Sequence, residues 1–279
     1  MMLRPLLVAL MIGLTVTPLP ALSQTSAETP AADTYDLLRI PELLEVMREE
    51  GMGYGETLAG QLFDDPEEPG WAGTVSEIYE TGRLARVFRA EFDRMLEGDE
   101  ATRAAAAAFF GAELGQTILG LEIEARRALL DEPVEEAAAL AYEDMADRRD
   151  PRVALLEEFA MANDLVEANV AGALNANLAF LKGMAAVGSG PEDTEALLAD
   201  VRGQAEQVRA ETVDWLFPFL ALAYQPLSDQ DLKAYIAFST SPEGQRLNRA
   251  LFAAFDVLFS TVSADLGRAA GLELKGQDI

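Results

Sequence analysis

The chain has 279 residues, contains no histidine and no cysteine, and carries a formal charge of −27. Without those two residue types it cannot form a Ser-His-Asp or Cys-His triad, a disulfide, the usual zinc ligand sets or the E-x-x-H sites of di-iron bundles. So acidic a chain is also a poor match for nucleic acid or an anionic membrane surface, which both require clustered Lys and Arg.

Met1 to Ser23 reads as a secretory signal. Arg4 supplies the positive start, Leu6 to Val16 the apolar core, and Pro18 and Pro20 the helix break. Ala21 and Ser23 are the small residues that signal peptidase requires, so cleavage is expected between Ser23 and Gln24. The apolar run is about a dozen residues, short of the ~20 that span a bilayer. No cysteine follows it to carry a lipid, and no later segment is expected to cross a membrane. A periplasmic protein is therefore expected. Burial alone must hold its fold.

Residues 24–33 are Ser/Thr/Ala/Pro-rich and read as a flexible lead-in. Leu37, Leu38, Leu43, Leu44 and Met47 follow, with Pro41 dividing a short turn from a helix that should stop at Gly51. The glycine-rich piece Met52 to Phe63 is expected to be a marginal helix. Asp64 to Gly70 is an acidic loop without the alternating carboxylates of a calcium loop.

From Trp71 to Leu96 the helical period is carried by Leu84, Val87, Phe88, Phe92 and Met95. Asp99 caps the next helix, which runs to Phe110 and on through Ile118, Leu121, Ala125 and Leu129. Val134 to Arg149 follows, and Asp150-Pro151 opens a helix expected to reach Val187. Gly188 to Pro191 is a linker, and Glu192 to Tyr224 is helical with Pro218 inside it. No segment alternates as a strand does, so the expected fold is all-α, a helical bundle.

A shift of 129 residues places Phe109 on Phe238, Gly115 on Gly244, Gln116 on Gln245, Asp99 on Ser228 and Phe88 on Phe217. Two similar packed lobes, 34–150 and 151–270, are therefore expected, with 271–279 as a frayed tail.

The most sharply specified stretch is Leu227 to Leu258. Ser228 and Asp231 form a capping box ahead of Leu232, Tyr235 and Ile236. Ser241 is a second N-cap, with Pro242 in the first helical position. Beyond it Leu247, Leu251, Phe252, Phe255, Leu258, Phe259, Val262 and Leu266 form one apolar stripe.

The pattern Leu227, Ser228, Asp231, Leu232, Phe238, Ser241, Pro242, Gly244 and Leu247 resembles the bacterial domain of unknown function 2059 family. The likeness covers some fifty residues near the C-terminus. Ser239 stands where that family commonly has tyrosine, and the earlier copy has Gly111-Ala112-Glu113 in place of Thr240-Ser241-Pro242. The resemblance implies a helical, exported protein and no particular activity.

No catalytic residue, metal ligand or cofactor site emerges. Glu122 and Glu124 with Arg126 and Arg127, or Glu157 and Glu158, are carboxylate pairs by type only, and are expected on helix surfaces. Asn163, Asn169, Asn175 and Asn177 are expected to be exposed, with a buried hydrogen-bond network or a ligand contact as alternatives. Lys182, Lys233 and Lys275 are scattered, so no Ser-Lys pair forms. Ser241 reads as a cap, and Gly244 as a point of close approach. Phe252, Phe255, Leu258 and Phe259 are expected as core, with an apolar groove as the alternative. The expected function is non-catalytic, possible partners being a protein segment or an amphiphile held in such a groove. A carboxylate-dependent envelope enzyme and a purely structural or stress-related component are the alternatives.

Overall fold

The computed structural model describes residues 33–63, 70–190 and 193–277. Among them every regular element is an α-helix, as expected of an all-α chain. The predicted signal segment, its Ser23–Gln24 cleavage point, residues 24–32 of the lead-in and residues 64–69 of the acidic loop lie outside the described residues.

The first helix, α1 (Thr34–Leu37), is capped by the Asp33 carboxylate, which accepts the Tyr35 N–H at 3.1 Å. Arg39 is left-handed (φ 53°), and α2 (Ile40–Leu62) starts with Pro41 in its first turn. This helix does not stop at Gly51 but runs through Gly51, Gly53, Gly55 and Gly60. Packing outweighs propensity there, because Gly51 lies against the Tyr79 ring and Gly55 against Val75. The Trp71 indole N–H also donates to the Gly55 carbonyl at 2.8 Å.

The Trp71–Leu96 period divides into α3 (Trp71–Ile78) and α4 (Thr81–Met95). Glu80 causes the break, its carboxylate accepting the N–H groups of Gly82 and Arg83. Asp99 caps α5 (Glu100–Phe110) through the Thr102 N–H, and α6 (Glu113–Ala128) turns from it by 84°. Next comes α7 (Glu132–Asp147), which packs on α11 and fully buries only Ala138.

The helix expected from Pro151 to Val187 is two, α8 (Pro151–Ala162) and α9 (Leu165–Ala186), separated by a left-handed Asp164 (φ 54°). Likewise α10 (Thr194–Gly203) and α11 (Ala205–Tyr224) meet at Gln204, while Pro218 is buried within α11 without ending it. The capping box is formed, opening α12 (Asp229–Ser239). The Ser241 hydroxyl accepts the Gly244 N–H at 3.0 Å, opening α13 (Pro242–Gln277).

At 36 residues, or roughly 54 Å, α13 is the organising helix. It packs on α9, α4, α5, α12 and α3, burying Leu247, Leu251, Phe255, Leu258, Val262 and Leu266. The tail expected to fray is helical to Gln277, and the Ser189 hydroxyl donates to the Gly271 carbonyl at 2.6 Å. By length and composition α13 could cross a membrane, which the sequence reading did not expect of any later segment. Most of its apolar side chains are instead packed on neighbouring helices, while Val257 and Leu272 are exposed.

A single hydrophobic cluster runs from Tyr35 to Ala270 and draws on both halves of the chain. The halves interlock: α4 lies on α13, and α6 lies on α11. Ion pairs join them at Arg83–Asp265 and at Arg246–Asp99, the latter at 2.9 Å.

At the offset of 129, α5 and α12 begin and end at matching positions, and α6 and α13 begin at matching positions. The Gln116 amide donates to the carbonyls of Phe110 and Leu37 at 2.7 and 3.0 Å. The Gln245 amide donates to those of Ser239 and Ala162 at 2.6 and 2.7 Å. Leu37 and Ala162 each precede a left-handed residue by two, Arg39 and Asp164. The match fails at Phe88 and Phe217, since Phe88 is fully buried while Phe217 is half-buried and stacked on Tyr142.

Candidate site: a buried carboxyl between the two halves

Glu122 lies on α6 four residues after Ile118 and seven before Leu129, on the face that meets α11. It was expected on a helix surface. Instead it is buried, because that face is closed by the second half of the chain. Oε1 of Glu122 accepts the Tyr224 hydroxyl at 2.6 Å and the Tyr235 hydroxyl at 2.7 Å.

Tyr224 is the last residue of α11, and Tyr235 lies within α12. Aromatic packing fixes both phenols. Phe159 of α8 stands 5.0 Å from the Tyr224 ring and 4.9 Å from the Tyr235 ring, centre to centre. Phe109 stacks on Tyr235 at 6.0 Å, and the two tyrosine rings meet edge to face at 5.8 Å.

Glu122 has no ion-pair partner among the described residues. Arg126, one turn further along α6 and also buried, donates to both carboxylate oxygens of Glu50 on α2, at 2.6 and 2.8 Å. Burial pushes Glu122 up to about 8, against a partial downward pull from the two tyrosine hydroxyls. Burial also holds the Tyr224 phenol well above its ordinary value, and the neighbouring Glu122 carboxyl adds to the effect. At neutral pH the cluster thus holds a protonated carboxyl beside the neutral Tyr224 phenol. It can hold and release a proton, but it lies within the core rather than on a surface.

The other residues singled out in the sequence do not join it. Glu124, Glu157 and Glu158 are exposed, and Arg127 reaches Glu49 at 3.4 Å. Asn163 and Asn169 are buried, contrary to expectation, because each amide donates to the carbonyl four residues back, Phe159 and Leu165. Asn248, missed in the sequence, donates to the Asn163 carbonyl at 3.0 Å and ties α13 to the α8–α9 break. Asn175 pairs with Asp256 and Asn177 with Gln204. The four asparagines therefore make separate bonds, two within their own helical turn and two to other elements.

Phe255, Leu258 and Phe259 are buried and Phe252 is half-buried against the same core, so these four residues form packing and do not line an open groove. Of the motif residues, Leu227, Leu232, Phe238 and Leu247 are core, while Ser228, Asp231 and Ser241 are caps. A Cβ at Gly244 would lie 2.2 Å from the Phe238 carbonyl oxygen, so the α12–α13 elbow demands glycine there. Tyr224 and Tyr235 were missed as partners of Glu122. The available signal was the place of Glu122 on the Ile118–Leu129 stripe. Set against family models, curated proteins and solved structures, the chain matches none.

Proposed function

We propose that the chain is a duplicated helical unit, exported to the periplasm, that acts without catalysis through contacts made by its surface. The observation that carries this reading is the placement of Glu122. The group best suited by its protonation to acid–base work is enclosed by Tyr224, Tyr235, Phe109 and Phe159 in the shared core. A general acid must come within hydrogen-bond reach of its substrate. The apolar stripe of α13 is likewise consumed by packing, which moves a partner site from an inter-helix groove to the outer surface.

The matching elbows at Gln116 and Gln245 support the duplication. The likeness of Leu227 to Leu247 to the domain of unknown function 2059 family supports export. Native purification from a periplasmic extract, followed by intact-mass and partner analysis, tests the reading. A mature chain beginning at Gln24, held by a partner that also binds the Glu122→Gln variant, is the expected result. A full-length chain in the cytoplasm would refute export, and a lone monomer after in-cell crosslinking would refute the contact role.

A further inference from the structure

We propose that Glu122, Tyr224 and Tyr235 form an alkali-sensitive latch that holds α6 of the first half against α11 and α12 of the second. The proposal does not depend on where the protein resides or what it binds.

The geometry supplies the argument. One carboxyl oxygen receives both phenol hydroxyls, so a single group ties three helices at one point. If the carboxyl ionises, the two phenol hydroxyls compensate it only in part, against the larger effect of burial. On α6 the cation one turn further along, Arg126, is engaged by Glu50 of α2. On α8 the Arg152 guanidinium is committed to the Tyr224 carbonyl at 2.6 Å and to Asp229 of α12 at 2.5 Å. From α5 comes the Phe109 ring. The tyrosines of α11 and α12 bring hydroxyls and no charge.

A negative carboxylate in that setting is stabilised by hydration, which requires α6 to part from α11 and α12. The remaining inter-half contacts, chiefly α13 on α4 and α5, lie on other helices and have no buried carboxyl of this kind. Opening should therefore be local. The folded group titrates near 8 and an exposed glutamate near 4.5, so the open form gains as pH rises between them. By linkage, opening of this region should increase on the order of 50-fold from pH 6 to pH 8.

Hydrogen exchange of the full-length chain, corrected for the base-catalysed intrinsic rate, tests this at peptide resolution. Protection of residues 116–128 and 216–239 should fall by that factor between pH 6 and pH 8, while residues 165–186 and 247–266 hold theirs. Glu122→Gln keeps the acceptor oxygen and cannot ionise, so its protection should not depend on pH. Tyr235→Phe removes a donor that favours the carboxylate, so its loss of protection should be steeper than in the wild type. Equal loss over α9 and α13, an unchanged pH dependence in Glu122→Gln, or a shallower one in Tyr235→Phe would overturn the latch.

Discussion

The contact between α9 and α13 makes a prediction in which two physical effects oppose each other. The helices run side by side so closely that a Cβ at Gly267 would lie 2.0 Å from the Phe180 carbonyl oxygen and 2.8 Å from its carbon. These are backbone atoms, which no rotamer change can move. An ordinary C···O contact needs about 3.3 Å, so α9 must retreat by roughly 1 Å. Gly183 makes a comparable close approach on the same pair of helices, its added Cβ 2.2 Å from the Ala264 carbonyl oxygen, so a retreat at one disturbs both. Overpacking of this kind costs about 1–3 kcal/mol, and sometimes more. Against it stands the gain in helix propensity from Gly to Ala, about 1 kcal/mol.

A clash of backbone against a new Cβ belongs at the upper end of that range, so after the propensity gain Gly267→Ala should be less stable by about 1–2 kcal/mol. For a chain of this size, melting should fall by some 2–4 °C per kcal/mol. Gly172 is the internal control, an interior residue of α9 with nothing within 4 Å of its added Cβ. Gly172→Ala should stabilise by up to about 1 kcal/mol. Urea titrations at equal m-value measure both. A Gly267→Ala midpoint at or above that of the wild type would refute the argument that the helix pair is locked at the backbone.

Two further expectations follow from single groups. Gln116→Ala and Gln245→Ala each remove two donors from partly buried carbonyls, so each should lose about 1–3 kcal/mol in the same titrations. For pH, the raised titration of Glu122 means that the folded state keeps a proton which the unfolded chain has released. Its contribution is complete below 4.5, declines as pH rises, and is spent above about 8, a total of about 5 kcal/mol. Below that window the opposite sign applies, since Asp99 is held low by Thr102 and Arg246 and loses its stabilisation as it protonates. Stability should therefore peak at about pH 4, with Glu122→Gln lacking the alkaline decline.

The helices were legible because caps and apolar spacing are local. Asp99, Asp150, Ser228 and Ser241 sit at helix starts in the sequence and in the structure. The errors share one cause, which is that interruption and burial depend on neighbours distant in sequence. Gly51 reads as a terminator, yet α2 passes through it because the Tyr79 ring occupies the space of its missing side chain. Asn163 reads as an exposed residue of a long helix, yet it sits at a break between two helices and under α13. The site was partly visible. Glu122 shares a helix face with Ile118, Ala125 and Leu129, a signal for burial that the reading of it as a surface carboxylate passed over. Its tyrosine partners, 102 and 113 residues away, could not be paired with it from spacing.

The 129-residue offset gives a reason to think that the carboxyl is retained for something other than stability. At that offset Glu122 falls on Leu251 and Tyr235 on Ala106, and both counterparts are apolar and fully buried. At those two positions one copy thus has packing where the other has a member of the polar cluster, while Tyr224 falls on the exposed Met95. Replacing a buried polar cluster by well-packed apolar residues of similar volume is often neutral or stabilising, whereas removing one member strands the others. Glu122→Leu alone should therefore lose stability, about 1–3 kcal/mol, because two buried hydroxyls lose their acceptor. The triple variant Glu122→Leu, Tyr224→Phe, Tyr235→Phe should recover that loss and match or exceed the wild type at pH 8, where the carboxyl is half ionised. Denaturant midpoints at pH 6 and pH 8 separate the cases. A triple variant that stays as unstable as Glu122→Leu at both values would mean that the cluster is a structural necessity of the α6–α11–α12 junction, and that its proton is incidental.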